Sequence, residues 1–157
     1  MKPITIIVET PKGSTQKYDY EFKIKCFKLN KILPEGMQFP FDFGFIPGTK
    51  GGDGDPLDVV VISEFKSFPG CAIDVKIIGG LIAEQSEKNG KKVRNDRYLA
   101  VPLESALFKD VDDIKALPGD IINQLEDFFK NYNRAAGKEF EVKERIGGKK
   151  AFKIINK

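Results

Sequence analysis

The chain has 157 residues, 41% apolar and 31% charged, with a net charge of only +3, which places it among globular proteins with one core rather than disordered or fibrous chains. A domain of this size buries roughly two-thirds of the surface its unfolded chain exposes and needs no disulfide staples, so Cys26 and Cys71 read as buried free thiols in a reducing, cytoplasmic compartment. Histidine is absent, which excludes Ser-His-Asp and Cys-His nucleophile systems and His-ligated zinc and leaves acid-base chemistry to carboxylates, lysine, tyrosine or water on a hard cation such as Mg²⁺, Mn²⁺ or Ca²⁺.

In chain order, residues 4–9 read as a first strand, since the apolar stretch is too short and too weakly basic for a signal peptide. Alternation and β-branched or aromatic enrichment predict further strands at 16–25, 57–62, 71–84, 97–101 and 139–146, and a last one at 150–155. Between the second and third lies 34–56, with Pro34, Pro40, Pro47 and Pro56 beside Gly36, Gly44, Gly48, Gly51, Gly52 and Gly54. That density of turn formers predicts a long irregular loop, and long ordered loops tend to be functional. Phe39, Phe41, Phe43 and Phe45 alternate within it, a pattern of core packing rather than of a base-stacking platform.

A short helical turn is predicted at 110–116, with Asp110 as its cap. One long helix is clear: Ile121, Ile122, Leu125, Phe128, Phe129 and Tyr132 form a stripe at helical spacing, opened by Pro118-Gly119-Asp120 and closed by Gly137. No stretch approaches the eighteen or so apolar residues of a membrane span, and no repeat or linker divides residues 1–157. A single α+β domain, mainly β, is expected: many short antiparallel strands in a closed barrel with one long C-terminal helix packed on it. Residues 137–157 carry seven Lys/Arg against three Glu, while the rest nets to −1. The tail reads as a solvated face or subunit contact, because no aromatic-interleaved basic stripe for nucleic acid accompanies it.

The segment Asp53-Gly54-Asp55-Pro56-Leu57-Asp58 puts three carboxylates in six residues at the mouth of the apolar run Val59–Ile62. Extended backbone sends Asp53 and Asp55 to one side, and a kink at Pro56 brings Asp58 back towards them. Converging like charges repel unless a cation or shared protons neutralise them. Taken alone, Asp-Gly and Asp-Pro also suit a plain turn. An EF-hand is disfavoured because Asp58 stands where its glycine belongs, and the RTX calcium repeat fails at Pro56.

This loop resembles the motif of the soluble, magnesium-dependent inorganic pyrophosphatases of the single-domain barrel type. Pro11-Lys12-Gly13-Ser14, Lys17-Tyr18-Asp19, Phe39-Pro40, Phe43–Pro47, Ala100-Val101-Pro102 and the Phe128-Phe129 helix with Tyr132 are similar to that family in order and spacing. The resemblance implies a five-stranded OB-like barrel that hydrolyses pyrophosphate to two phosphates, with Mg²⁺ (or Mn²⁺) as cofactor and a metal-activated water attacking phosphorus directly. By position it implies Asp53 and Asp58 as metal ligands, Asp55 as both a metal-site carboxylate and the proton acceptor, Glu9 and Asp19 as further metal-site carboxylates, and Lys17, Lys31, Arg97 and Tyr132 as substrate ligands. It also implies a homo-oligomer, a hexamer rather than a dimer, with no nucleic-acid or membrane partner.

The chain departs from the pattern in several places. Phe39 and Phe43 replace tyrosines, Lys31 an arginine, and Asn133 a lysine. Asn95 stands where the family has a metal-binding aspartate, so Asp96, one place on, is expected to supply that ligand through a bulge rather than merely pair with Arg94. The family's acidic pair has no clear counterpart near 84–87, where Glu84 is the candidate. A hydrolase of a larger diphosphate and a non-catalytic OB-type nucleic-acid binder are the rival expectations.

Overall fold

A computed structural model describes all 157 residues. Strands β1 (Ile4–Thr10), β2 (Gln16–Glu21), β3 (Cys26–Ile32), β4 (Asp42–Phe45), β5 (Asp58–Val61), β6 (Ala72–Ser86), β7 (Lys92–Arg94) and β8 (Arg97–Pro102) precede a short 3₁₀ turn at Ile114–Ala116. Helix α1 (Gly119–Ala135), strand β9 (Glu139–Gly147) and helix α2 (Gly148–Ile155) complete the chain.

Five strands close on themselves: β1 pairs with β4, β4 with β5, β5 with β8, β8 with β6, and β6 returns to β1. This is the five-stranded ring expected, with β2 and β3 as a separate hairpin. All pairs in the ring are antiparallel except β5–β8, which is parallel. The fifteen-residue β6 serves β1, β8 and β9 in turn, and its register shifts at Ile77/Gly79 and Ile82/Ala83 let one strand bend past all three. A glycine is required in β4, where a side chain at Gly44 would drive into the backbone carbonyl of Ile7 on β1.

The wall is buried on both faces, which is why 59–62 and 98–101 read as unbroken apolar runs rather than alternating ones. Val60, Ile62, Leu99 and Val101 pack with Ile122, Leu125 and Phe129 of α1. Val59, Val61, Tyr98 and Ala100 face the second core, with Ala151 and Ile155 of α2. The α1 stripe thus does what its spacing predicts, and fully burying Leu125 contributes roughly 1.5–3 kcal/mol.

Several expectations are corrected. The strand foreseen at 150–155 is helix α2, since Ala151 and Ile155, four apart, are the buried pair; so short an apolar run fits either period. Residues 16–25 are not one strand: β2 ends at Glu21 and the chain turns into β3, with Lys25 at φ 53 closing the turn where no glycine announces it. The 34–56 loop contains β4. The 110–116 turn is the 3₁₀ segment, capped by Asp113 rather than Asp110. Both cysteines are free, but Cys26 is exposed and Cys71 half-buried.

Candidate active site

A cleft of about 430 Å³ opens between β2, the β4–β5 loop and α1. Glu9, Asp19, Asp53, Asp55 and Asp58 line it together with Lys17, Arg97 and Tyr132. Each arrives by a separate local device. The register of β1 against β4 slips between Val8 and Thr10, and Glu9 is the extra residue, so its side chain is released from the alternation. Its Oε2 accepts the Tyr20 N–H at 2.8 Å. Burial pushes the Glu9 carboxyl up to about 7, with nearby Lys17 pulling the other way.

Lys17 and Asp19 lie two apart on β2 and, as their spacing predicts, share one side, where they form an ion pair. Lys17 is buried and its Nζ sits 5.0 Å from the Phe43 ring centroid. The other oxygen of Asp19 accepts from Asn30 Nδ2. Lys31, opposite Lys17 on β3, does not line the cleft; its Nζ stands 4.4 Å over the ring of Tyr132. Burial, then the positive charges of Lys138 and Lys17, holds Lys31 below the usual ammonium range.

In the β4–β5 loop the Asp55 N–H bonds Asp53 Oδ1 at 3.0 Å and the Gly51 N–H bonds Asp55 O at 2.7 Å. Gly54, at φ +90, makes that reversal possible. The Asp55 carboxyl is raised by burial and then by the charges of Asp53 and Asp19. Asp58 and Arg97 are the first residues of the parallel pair β5–β8 and stand directly opposite. Arg97 Nη1 meets Asp58 Oδ2 at 2.6 Å. Burial raises the Asp58 carboxyl to about 6, against the pull of Arg97.

Arg97 is only 5% exposed and is enclosed by Phe43, Phe129 and Phe140, its guanidinium carbon 5.0–5.7 Å from the three ring centroids. Its hydrogen bonds, to Asp58, to Asn95 and to the backbone carbonyl of Asp96, all run through Nη1. Nε is buried without an acceptor. Nη2 makes no hydrogen bond and is not buried, so that donor is free to meet an anion in the cleft.

Asp96 lies beside the main cleft, in a side crevice that it shares with Asp53 and Asp58. Its carboxylate accepts from Ala83 N at 3.0 Å, Arg94 Nε at 2.8 Å and Tyr98 OH at 3.4 Å. The pairing with Arg94 is present. Glu84 is elsewhere, half-exposed beside Lys143. Glu21 and Tyr20, which line the cleft, were missed in the sequence; Glu21 continues the i, i+2 series of Lys17 and Asp19, so the signal that finds those two extends to it.

No three carboxylates form a ready-made coordination cluster. The donor set nonetheless suits hard divalent cations, because burial and mutual repulsion already disfavour the charged forms of Glu9, Asp55 and Asp58, a penalty that a cation relieves.

The family model for inorganic pyrophosphatase matches residues 6–157. The chain belongs to the inorganic pyrophosphatase family. Among its relatives, the inorganic pyrophosphatase of Halalkalibacterium halodurans is 37% identical over 155 residues, covering 99% of this chain and 92% of that one. That of Nanoarchaeum equitans is 39% identical over 151 residues, covering 94% and 90%. The crystal structure of the inorganic pyrophosphatase from Thermus thermophilus matches the fold with a TM-score of 0.88 at 29% identity, covering 98% of this chain and 87% of that one. The pyrophosphatase relatives thus match the barrel, the cleft-bearing hairpin and α1 together rather than a local motif.

Proposed function

We propose that this chain hydrolyses inorganic pyrophosphate to two phosphates, with water attacking phosphorus directly and no covalent phosphoenzyme. The observation that carries this reading is the composition of the cleft: six carboxylates on its wall with two buried cations, Lys17 and Arg97. Without further positive charge such a cleft repels a polyanion. Magnesium, with manganese as a substitute, is the fitting ion, since it is held by one or two carboxylates together with substrate oxygens and needs no closed protein cage. Bound there, such cations supply charge neutralisation and acidify water, which a site without histidine needs.

The chain's own residues divide the remaining work. Asp53, Asp58, Glu9 and Asp19 hold the cations. Asp55 accepts the proton of the attacking water; its raised affinity for protons moves it towards the working range of a general base. Arg97 and Lys17 bind phosphoryl oxygens and stabilise charge on the departing phosphate. Tyr132, whose phenol burial keeps protonated, donates a hydrogen bond, and Lys31 acts beside it. Phe39 and Phe43, without hydroxyls, form an apolar wall that excludes water and strengthens these charges. Asp96 is assigned to holding Arg94 and Tyr98.

We also read the chain as cytoplasmic and, on the family resemblance, as a hexamer; the exposed Phe22, Ile24, Leu29 and Ile32 of the β2–β3 hairpin support a contact between copies. No helix is long and apolar enough to cross a membrane. The test of function is phosphate release from pyrophosphate with Mg²⁺ or Mn²⁺. Asp55→Asn is expected to lower the rate by about 10²–10⁴-fold without lowering the melting temperature, because the side chain stands on an exposed loop and its charge is already disfavoured there. Folded protein that releases no phosphate with any of several divalent metals overturns the reading.

A further inference from the structure

Behind Asp58, next to the guanidinium of Arg97, stand two neutral amides, Asn95 and Gln85. Gln85 on β6 is buried, and its Oε1 accepts from Asn95 Nδ2 at 2.8 Å. Asn95 Oδ1 in turn accepts from Arg97 Nη1, the nitrogen that also holds Asp58. Gln85 Nε2 donates onward to Glu87 Oε1 at 3.2 Å, and Glu87 pairs with Lys138 at 3.1 Å. The donors all point one way, from the Arg97 cation through two amides to the Glu87 anion, so each bond polarises the next.

This relay decides where a cation can sit. Amide oxygens are acceptable ligands for hard cations, but both of these oxygens already face an N–H donor. Asn95 shares a side crevice with Asp53, Asp58 and Asp96, and the guanidinium stands between the Asn95 amide and the Asp58 carboxylate. A dication bridging residues 58 and 95 would meet a fixed like charge and displace two hydrogen bonds to gain one neutral ligand.

We propose that Arg97, clamped by the Gln85–Asn95 amide pair, is the resident positive charge behind Asp58, so that this chain fills its site with one divalent cation fewer than a carboxylate at position 95 would admit. The inference rests on the metal-assisted reading given above and assigns Asn95 and Gln85 as residues that set metal number by positioning Arg97.

The test counts Mn²⁺ bound to the full-length chain without substrate, from the electron paramagnetic resonance of free Mn²⁺ during titration, so its readout is independent of hydrolysis. Asn95→Asp combined with Gln85→Glu is expected to bind one more Mn²⁺ per chain than the unaltered protein. Asn95→Ala is expected to bind the same number as the unaltered protein, because Asn95 is not a ligand. Equal counts in folded acidic variant and unaltered protein, or loss of a bound Mn²⁺ in Asn95→Ala, overturn the inference while leaving pyrophosphate hydrolysis standing. Unaltered protein that takes up no Mn²⁺ overturns the reading of the site and this inference with it.

Discussion

Replacing Arg97 by methionine keeps an apolar stem against Phe43, Phe129 and Phe140 but leaves the Asp58 carboxylate without its partner. The pair is largely withdrawn from water, with side-chain exposures of 6% for Arg97 and 21% for Asp58. Breaking a buried pair by removing one member costs about 3–5 kcal/mol, and the residual exposure of Asp58 places the expected loss near ~3 kcal/mol. Urea unfolding measures it, and Arg97→Met combined with Asp58→Asn is expected to recover part of the loss, because no unpaired charge then remains. A loss in the range of a surface pair, about 0–1 kcal/mol, counts against the role given to burial. At this scale the sequence is readable where spacing carries the geometry. Asp53, Asp55 and Asp58 gather from one loop, and Lys17 with Asp19 follow from alternation. What an acid's identity does not reveal is whether its oxygens are already engaged, as those of Asp96 are by Ala83, Arg94 and Tyr98.

Elements were legible in proportion to their length and punctuation. The long stripe of α1 and the glycine beyond it fix one helix, whereas the eight residues of α2 and the glycine-free turn into β3 give too few positions to separate periods. Contacts between loops leave even less trace. Glu64, after β5, reaches across to the loop after β8, where it accepts from Ser105 Oγ at 2.5 Å and from the N–H groups of Ala106 and Leu107 at 2.7 and 3.3 Å. Those bonds, that of Ser105 first, hold the Glu64 carboxyl down at about 2, against 4.5 for an ordinary glutamate. A depressed carboxylate contributes stability that is fully present above its unfolded value and is lost as pH falls through the folded one. The difference in unfolding free energy between the native chain and Glu64→Gln is therefore expected to shrink as pH falls from about 4.5 to 2. Urea unfolding at stepped pH reads this, and a difference constant across that window counts against the contact.

The ring as a whole depends on pairings that no local pattern contains: β1 closes against β6, Ile4 opposite Val75, and β5 lies parallel to β8. Local alternation and the run of short strands pointed to closure, but which edges meet was not readable, because partners some seventy residues apart leave no periodic trace. That closure has a cost at one end, where it gathers Glu9, Asp19, Asp53, Asp55 and Asp58 about one cleft. Burial and repulsion there oppose folding, and anything that binds the folded cleft and not the unfolded chain offsets them by mass action. Mg²⁺ or Mn²⁺ at a hundred times its dissociation constant is expected to stabilise the fold by about 2.7 kcal/mol, which for a chain of this size raises the melting temperature by roughly 5–10 °C. The rise should be reversed by a chelator and reduced in Asp53→Asn combined with Asp58→Asn, with ionic strength matched by NaCl throughout. A melting temperature indifferent to divalent ions under that match would mean that these carboxylates hold no cation in the folded chain.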